Sequence, residues 1–446
     1  MLDLLLKNCH VVTETESYNA DIEVKDGKIT GIVKSGSGRD SKKEINCENK
    51  TVIPGCIDTH VHFNEPGYEY REGFITGSRA AAVGGITLVA DMPVANKPHV
   101  KSLKDLEIKK NAIKDKSYVD YSLWGGLVDN NLNDLEGLKN GGVLGLKAFT
   151  VDQLSDFKWI NDGVMYDGFS KCSDLDLMVG LHCENNQIIE YRQNKIDDNK
   201  SYEDQIKDFL WVFDEETELT TVNNVIEIAK KTKARVHILH ASLPETVKKV
   251  KKAKKENVNI TVETCPHYLV MSNNDLFDKK AFAKCTPPLR DKEAVEGLWE
   301  LIKNDDIYLI SSDHSPSTIE EKSSKDSFWK AWGGIQGVQF MVQLLLSEGV
   351  NKRGLSLHKF VKLLSSNPAR YLGQYPKKGT IQIGSEATFT IIDLDKKWEI
   401  TKEDIVFKNK HTPYLNMKGK GLPEKTILRG EVIDPESKEF NGKFIG

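Results

Sequence analysis

A (β/α)8 TIM-like barrel, carrying a small β-sandwich domain assembled from both termini, is the fold this sequence predicts. Three observations lead there. Short apolar runs alternate with helical stretches through the middle of the chain, both ends are strand-rich, and residues able to bind metal fall where the central strands finish. At the start, Asp21-Ile-Glu-Val-Lys-Asp-Gly-Lys-Ile-Thr-Gly-Ile reads as two alternating strands about an Asp26-Gly27 turn. Near the other end, Gly379-Thr-Ile-Gln-Ile-Gly and Ala387-Thr-Phe-Thr-Ile-Ile have the same character. Between them, strands are expected near 52–63, 86–92, 118–126, 143–149, 177–183, 235–241, 259–265 and 307–313. Helices such as Glu72–Val83, Glu215–Lys231 and Asp291–Lys303 separate them. Eight β/α units in about 320 residues match a barrel. The expected division is 1–51 and 375–446 for the two parts of the sandwich and 52–374 for the barrel. The polar stretch Arg192–Lys207 reads as a surface insertion, and no internal repeat is visible.

With 446 residues, 39% hydrophobic and 29% charged, the chain can bury a large core. A net charge of −4 spread over both signs argues against nucleic-acid and membrane-surface partners. No apolar run is long enough to cross a bilayer, and the N-terminus lacks a basic leader. Cys9, Cys47, Cys56, Cys172, Cys183, Cys265 and Cys285 are scattered and odd in number, without CxxC spacing, as expected of reduced thiols in a cytoplasm.

The chemistry emerges once ligand-type residues are placed on these strands. His60 and His62 end the first strand, and their i, i+2 spacing turns both imidazoles to one face. Lys147 ends the fourth strand, His182 the fifth, His240 the sixth and Asp313 the eighth. All six lie at the end of the barrel where active sites are built, so they are read as a metal constellation. Lys147 needs its own account, because an ammonium repels a cation. Flanked by Gly145, Leu146, Ala148 and Phe149 on a buried strand, its neutral form is favoured. A neutral amine adds carbon dioxide to give a carbamate (N6-carboxylysine), which can bridge two cations; a barrel lysine salt-bridged to a carboxylate is the alternative, which the surrounding histidines disfavour. Two divalent ions per chain follow, with zinc the first choice and cobalt, manganese and iron the alternatives.

Gly55-Cys-Ile-Asp-Thr-His-Val-His-Phe-Asn-Glu-Pro-Gly resembles the first-strand motif of the cyclic amidohydrolases: dihydroorotases, hydantoinases, dihydropyrimidinases and allantoinases. Gly145-Leu-Lys-Ala-Phe, His182-Cys-Glu, His240-Ala-Ser, Glu263-Thr-Cys-Pro-His-Tyr-Leu, Pro287-Pro-Leu-Arg and Ser312-Asp-His-Ser-Pro resemble the later motifs in order. The flanking Val24-Lys-Asp-Gly-Lys-Ile, His411-Thr-Pro-Tyr and Thr426-Ile-Leu-Arg-Gly are similar to the group's small β domain. Asn64 stands where dihydroorotases carry a carboxylate-gripping arginine, and Thr150–Asp156 lacks the tyrosine usual in hydantoinases and dihydropyrimidinases. Glu72-Gly-Phe-Ile-Thr-Gly, Asp91-Met-Pro, Ser312-Asp-His-Ser-Pro and Ala331-Trp-Gly-Gly-Ile-Gln-Gly-Val-Gln resemble the allantoinase branch. Four departures from that branch are Tyr68 for an arginine, Ala95 for an asparagine, Ser317 for a frequent cysteine, and a missing Ser-Gly pair after Phe149.

The resemblance implies hydrolytic opening of a cyclic ureide, with Asp313 as metal ligand and proton shuttle, and a homotetrameric assembly. Asn64, His267, Pro288 and Arg290 are the candidate substrate contacts; His267 could equally order the rim, and Arg290 could support its loop. His237, three residues before His240, is expected on the barrel exterior. Cys265 reads as a small core residue, Trp329 and Trp332 as packing for the last helix, and adjacent His314 and Ser315 cannot converge as a triad. Two rival classes are a metal-free scaffold, which would have lost ligands, and a mononuclear deaminase, which has no need of Lys147.

Overall fold

The structure is a computed structural model describing residues 1–152, 157–197, 199–324 and 327–446. At the N-terminus lie β1 (Leu2–Val12), β2 (Ser17–Lys25), β3 (Lys28–Val33), β4 (Ser41–Asn46) and β5 (Thr51–Pro54). The Asp26-Gly27 turn joins β2 to β3 as expected, with both residues at positive φ (52° and 71°), the conformation a two-residue hairpin requires.

The barrel strands are β6 (Cys56–Val61), β7 (Ile86–Asp91), β8 (Asp120–Leu123), β9 (Gly125–Gly126), β10 (Leu146–Phe149), β11 (Met178–His182), β12 (Arg235–Ile238), β13 (Ile260–Thr264) and β14 (Leu309–Ile310). All the pairs among them are parallel. β8 and β9 are one expected strand interrupted at Trp124, whose buried indole donates to the Thr59 carbonyl at 3.2 Å. The ring closes where Val61 bridges His314 and the His62 amide donates to the His314 carbonyl at 2.8 Å.

From the far end, β15 (Phe389–Glu399), β16 (Lys418–Leu428) and β17 (Glu431–Val432) return to the N-terminal strands. The eight-stranded sheet runs β17-β16-β15-β5-β1-β2-β3, with β4 also on β1, and thus draws on both termini. Leu4, Leu6, Val11, Ile22, Val24, Phe389 and Ile427 form its core. Two expectations change here. The single strand expected over 52–63 is two, because Thr51–Pro54 pairs with β1 and β15 before Gly55 carries the chain into the barrel. Only glycine fits at that corner, where a Cβ would lie 2.4 Å from Thr87 Oγ1. The segment 379–384 forms turns instead of a strand, since Gly379 and Gly384 sit at φ 79° and 93°.

Helices Phe74–Val83, Asp162–Asp174, Glu215–Thr232, Pro244–Lys255 and Lys292–Lys303 follow barrel strands, at the expected places. Asn161, Asp214 and Asp291 cap three of them by accepting backbone N–H bonds. Apart from residue 198, which lies outside the described residues, Arg192–Lys207 is largely exposed, as expected of a surface insertion, except at Gln205 and Ile206. It leads into helix Tyr202–Val212, which buries Gln205, Ile206, Phe209 and Val212. Among the described residues no helix is long and apolar enough to cross a membrane.

Candidate metal centre

The strand ends bring all six expected ligands to one cavity of ≈ 340 Å³, whose lining includes His60, His62, Lys147, His182, His240 and Asp313. Asp313 Oδ1 lies 3.1 Å from His60 Nε2 and 3.2 Å from His62 Nε2. Ring centroids are 5.4 Å apart for His60 and His240, and 4.6 Å for His240 and His182. Lys147 reaches the same cluster, its Nζ 4.5 Å from the Phe149 ring that packs beside His182.

Carboxylates orient the His60 and His182 imidazoles and fix the backbone beside other ligands. Glu263, from the strand that supplies no ligand, bonds His60 Nδ1 at 2.7 Å and so presents Nε2 to the cavity. The same carboxylate accepts from the His240 amide at 3.3 Å. Glu184 Oε2 meets His182 Nε2 at 2.6 Å, and Asp58 accepts the amides of His60 and Ser312, tying the first strand to the eighth. His240 and Asp313 are held at positive φ (37° and 46°), backbone strain that persists because the surrounding packing imposes it.

The electrostatics suit a cation. Burial holds His62 below the ordinary imidazole range, and His182 and His240 well below it, so all three are neutral donors. Burial pushes Asp313 upward, but the neighbouring His60, His62 and His240 outweigh it and hold the carboxyl well below its usual value. Burial draws the Lys147 amine down to about 8 despite Asp313 and Glu263 nearby, which makes its neutral form accessible. Ligand atoms of His60, His62 and Asp313 lie within 4.8 Å of one another, and His240 Nδ1 is buried with no hydrogen-bond partner among the described residues. Neutral imidazoles, a carboxylate and an unpartnered buried ring nitrogen fit a divalent metal ion.

None of the candidate substrate contacts Asn64, His267, Pro288 and Arg290 is among the residues lining this cavity. Asn64 turns back to the His62 carbonyl at 3.3 Å, and His267 is buried against Tyr268. Arg290 donates to Ser242 Oγ at 2.9 Å and the Phe213 carbonyl at 2.8 Å, and so supports its loop. The wall comes instead from Ala95, Phe149, Asp152, Gln193, Phe209, Phe213, Lys284, Thr286, Ser315 and the run 329–333. Trp329 and Trp332 therefore line the cavity and lie outside any helix, contrary to expectation; Trp332 donates to Ser315 Oγ at 3.2 Å. Of the loop after Phe149, residues 153–156 lie outside the described residues.

His237 also corrects the expectation. It is fully buried inside the barrel, not on its exterior, sharing Glu263 with His60 (Nε2–Oε2 3.2 Å) and bonding Thr261 at 2.7 Å. Strand β12 ends at Ile238, and the left-handed backbone at His240 breaks the alternation that would have placed the two on opposite faces. His314 is buried with Nδ1 accepting from the Gly337 amide at 3.1 Å, so it forms no triad. Burial raises the Cys265 thiol well above its usual range, consistent with a core residue.

Barrel, terminal sheet and rim cluster together define a metal-dependent hydrolase architecture. Residues 51–433 match the model of the amidohydrolase family. Allantoinases of Escherichia coli O1:K1 and K12 (DH10B) are each 36% identical over 456 aligned positions, covering 99% of this chain and 98% of theirs. Among solved structures, L-hydantoinase (dihydropyrimidinase) from Arthrobacter aurescens superposes with TM-score 0.96 at 30% identity, covering 100% of both chains. Dihydropyrimidinase from Brevibacillus agri NCHU1002 gives 0.90 at 26%, covering 100% and 98%. The chain belongs to the amidohydrolase family and, within it, to the cyclic amidohydrolase group.

Proposed function

We propose that this protein is an allantoinase, opening the five-membered hydantoin ring of allantoin to give allantoate. Similarity to allantoinases along the whole length, metal motifs and terminal sheet alike, is the observation that carries the reading. A hydantoinase or dihydropyrimidinase is the second reading, favoured by the backbone match to the Arthrobacter aurescens enzyme.

His60, His62, His182, His240 and Asp313, together with Lys147 as its carbamate, would hold two divalent ions, zinc by preference. When bound, such ions lower the pKa of an intervening water and polarise a ring carbonyl. Asp313, at the cavity floor beside His60 and His62, takes the proton of the attacking water and returns it to the departing ring nitrogen. That return matters because an amide anion leaves poorly. Phe149, Phe209, Phe213 and Trp329 give the cavity an apolar wall against which the ring would pack.

The proposed setting is a cytoplasmic homotetramer acting on a small molecule, with the barrel boundary expected at 52 moved to Gly55, because Thr51–Pro54 pairs within the terminal sheet, and with 375–446 as the second part of that sheet's domain. The seven buried cysteines form no disulfide, although Cys9 and Cys47 place their sulfurs 3.4 Å apart, and this supports a reducing compartment. The test is a panel of allantoin, hydantoin, dihydrouracil and dihydroorotate on metal-replete enzyme. Allantoin should show the highest kcat/KM; a faster cyclic imide or dihydropyrimidine would refute the assignment while leaving the family in place.

A further inference from the structure

Among the described residues, two lysines outside the metal cluster, Lys284 and Lys322, are buried without a carboxylate in contact. Lys284 is 5% exposed and Lys322 1%. Lys284 Nζ donates to the carbonyls of Phe328 at 2.9 Å, Trp329 at 2.9 Å and Ala331 at 2.8 Å. Lys322 Nζ donates to the carbonyls of Lys284 at 2.8 Å, of Trp332 at 2.9 Å and of Gly334. An ammonium has three N–H donors, and each of these is fully used. Burial draws both amines down to about 7, and the positive charge of Lys284 adds to that at Lys322. Three carbonyl oxygens around each favour the charged form in return.

The acceptors are not scattered. Apart from Lys284 itself, all lie within 328–334, a stretch without helix or strand beyond one isolated bridge at Ile335, whose carbonyls therefore lack ladder partners. Residues 329–333 of that stretch form one side of the cavity above the ligand cluster. Lys322 grips the backbone of Lys284, so the two ammoniums act as one unit. Lys284 also faces the Phe209 ring at 5.4 Å, and Gln205 accepts the Phe328 amide at 2.8 Å, which joins the wall to helix Tyr202–Val212.

We infer that Lys284 and Lys322 are positioning residues for substrate, clamping the 328–334 wall so that Trp329, Trp332 and Gly333 keep a fixed face toward the metal centre. The inference rests on the cyclic-amide reading above. It gives the wall, and not the metal ligands alone, control of KM and of discrimination among rings.

The experiment compares wild type with Lys322→Met and Lys284→Gln, measuring metal content, kcat and KM on the four-ring panel, and acrylamide quenching of tryptophan fluorescence. With metal content unchanged, KM for the best substrate should rise by about tenfold, kcat should fall by less than about threefold, and quenching should increase. A folded, metal-loaded Lys322→Met enzyme with wild-type KM and wild-type quenching would overturn the inference. If the lysine variants do not fold, Trp329→Ala decides, since it leaves the clamp intact; an unchanged KM there also overturns it. A wild-type enzyme that opens none of the four rings defeats the functional reading, whereas the quenching comparison still judges the clamp.

Discussion

If Lys147 bridges the metals as a carbamate, its formation must follow the neutral fraction of the amine. Burial brings that amine to about 8, so it becomes less protonated, not more, at neutral pH. About one molecule in eleven then carries the neutral amine at pH 7, roughly two-hundredfold more than an ordinary lysine. Between pH 6 and pH 8 the neutral fraction climbs from about 1% to about half, so carbamate formation at fixed dissolved carbon dioxide should speed up by about fiftyfold and level off above pH 9. The reaction is attack of Nζ on carbon dioxide with loss of one proton. Chelated apoenzyme, supplied with ¹³C-labelled carbon dioxide before metal is returned, should develop a carbamate carbon signal at these relative rates, followed by recovery of activity. A rate that stays flat from pH 6 to pH 8, or a signal that persists in Lys147→Ala, would refute the reasoning.

Elemental analysis of enzyme reconstituted with metal and bicarbonate should find two divalent ions per chain; a plateau at one would point to a mononuclear site instead. Asp313→Asn should lose at least about a thousandfold in kcat while circular dichroism and melting stay near wild type, because the proton shuttle is removed with little change of shape. Turnover within tenfold of wild type at full metal occupancy would exclude that role.

The barrel was legible because its signal is local: each strand is a short apolar run followed by a helix of matching period, and Glu215–Thr232 even carries acidic residues in its first turn and lysines in its last. The ligand set was legible for a related reason, since the barrel puts every strand end on one rim. What escaped depends on backbone that leaves regular geometry. His237 was misplaced because alternation was carried past the true end of β12, and 379–384 was misread because two glycines at positive φ turn an otherwise strand-like pattern. The cavity wall was invisible for a different cause. Phe209 and Trp329 are more than a hundred residues apart, and their approach is fixed by buried lysines and a glutamine that no periodicity marks.

That wall also decides which departures from the allantoinase pattern matter. Tyr68 stays outside the cavity lining, its ring 5.1 Å from the Lys97 ammonium and 5.2 Å from the Arg71 guanidinium. Ala95 does line the cavity, and it holds a left-handed backbone (φ 56°) that alanine adopts unwillingly and asparagine readily. Ala95→Asn should therefore stabilise the fold, by about 0.5–1 kcal/mol, because the strain at its Cβ is offset by the local hydrogen bonding asparagine offers in that region. The same change adds an amide to the cavity lining, where it could bond a ureido substituent directed at that wall. If allantoin is the substrate, kcat/KM for it should rise relative to hydantoin, which lacks that substituent, while unfolding midpoints move upward. A lower melting temperature would mean that the cavity beside Ala95 has no room for the larger side chain. An unchanged allantoin-to-hydantoin ratio in a stabilised variant would mean that the ureido arm points to another wall, with the run 329–333 the next to be varied.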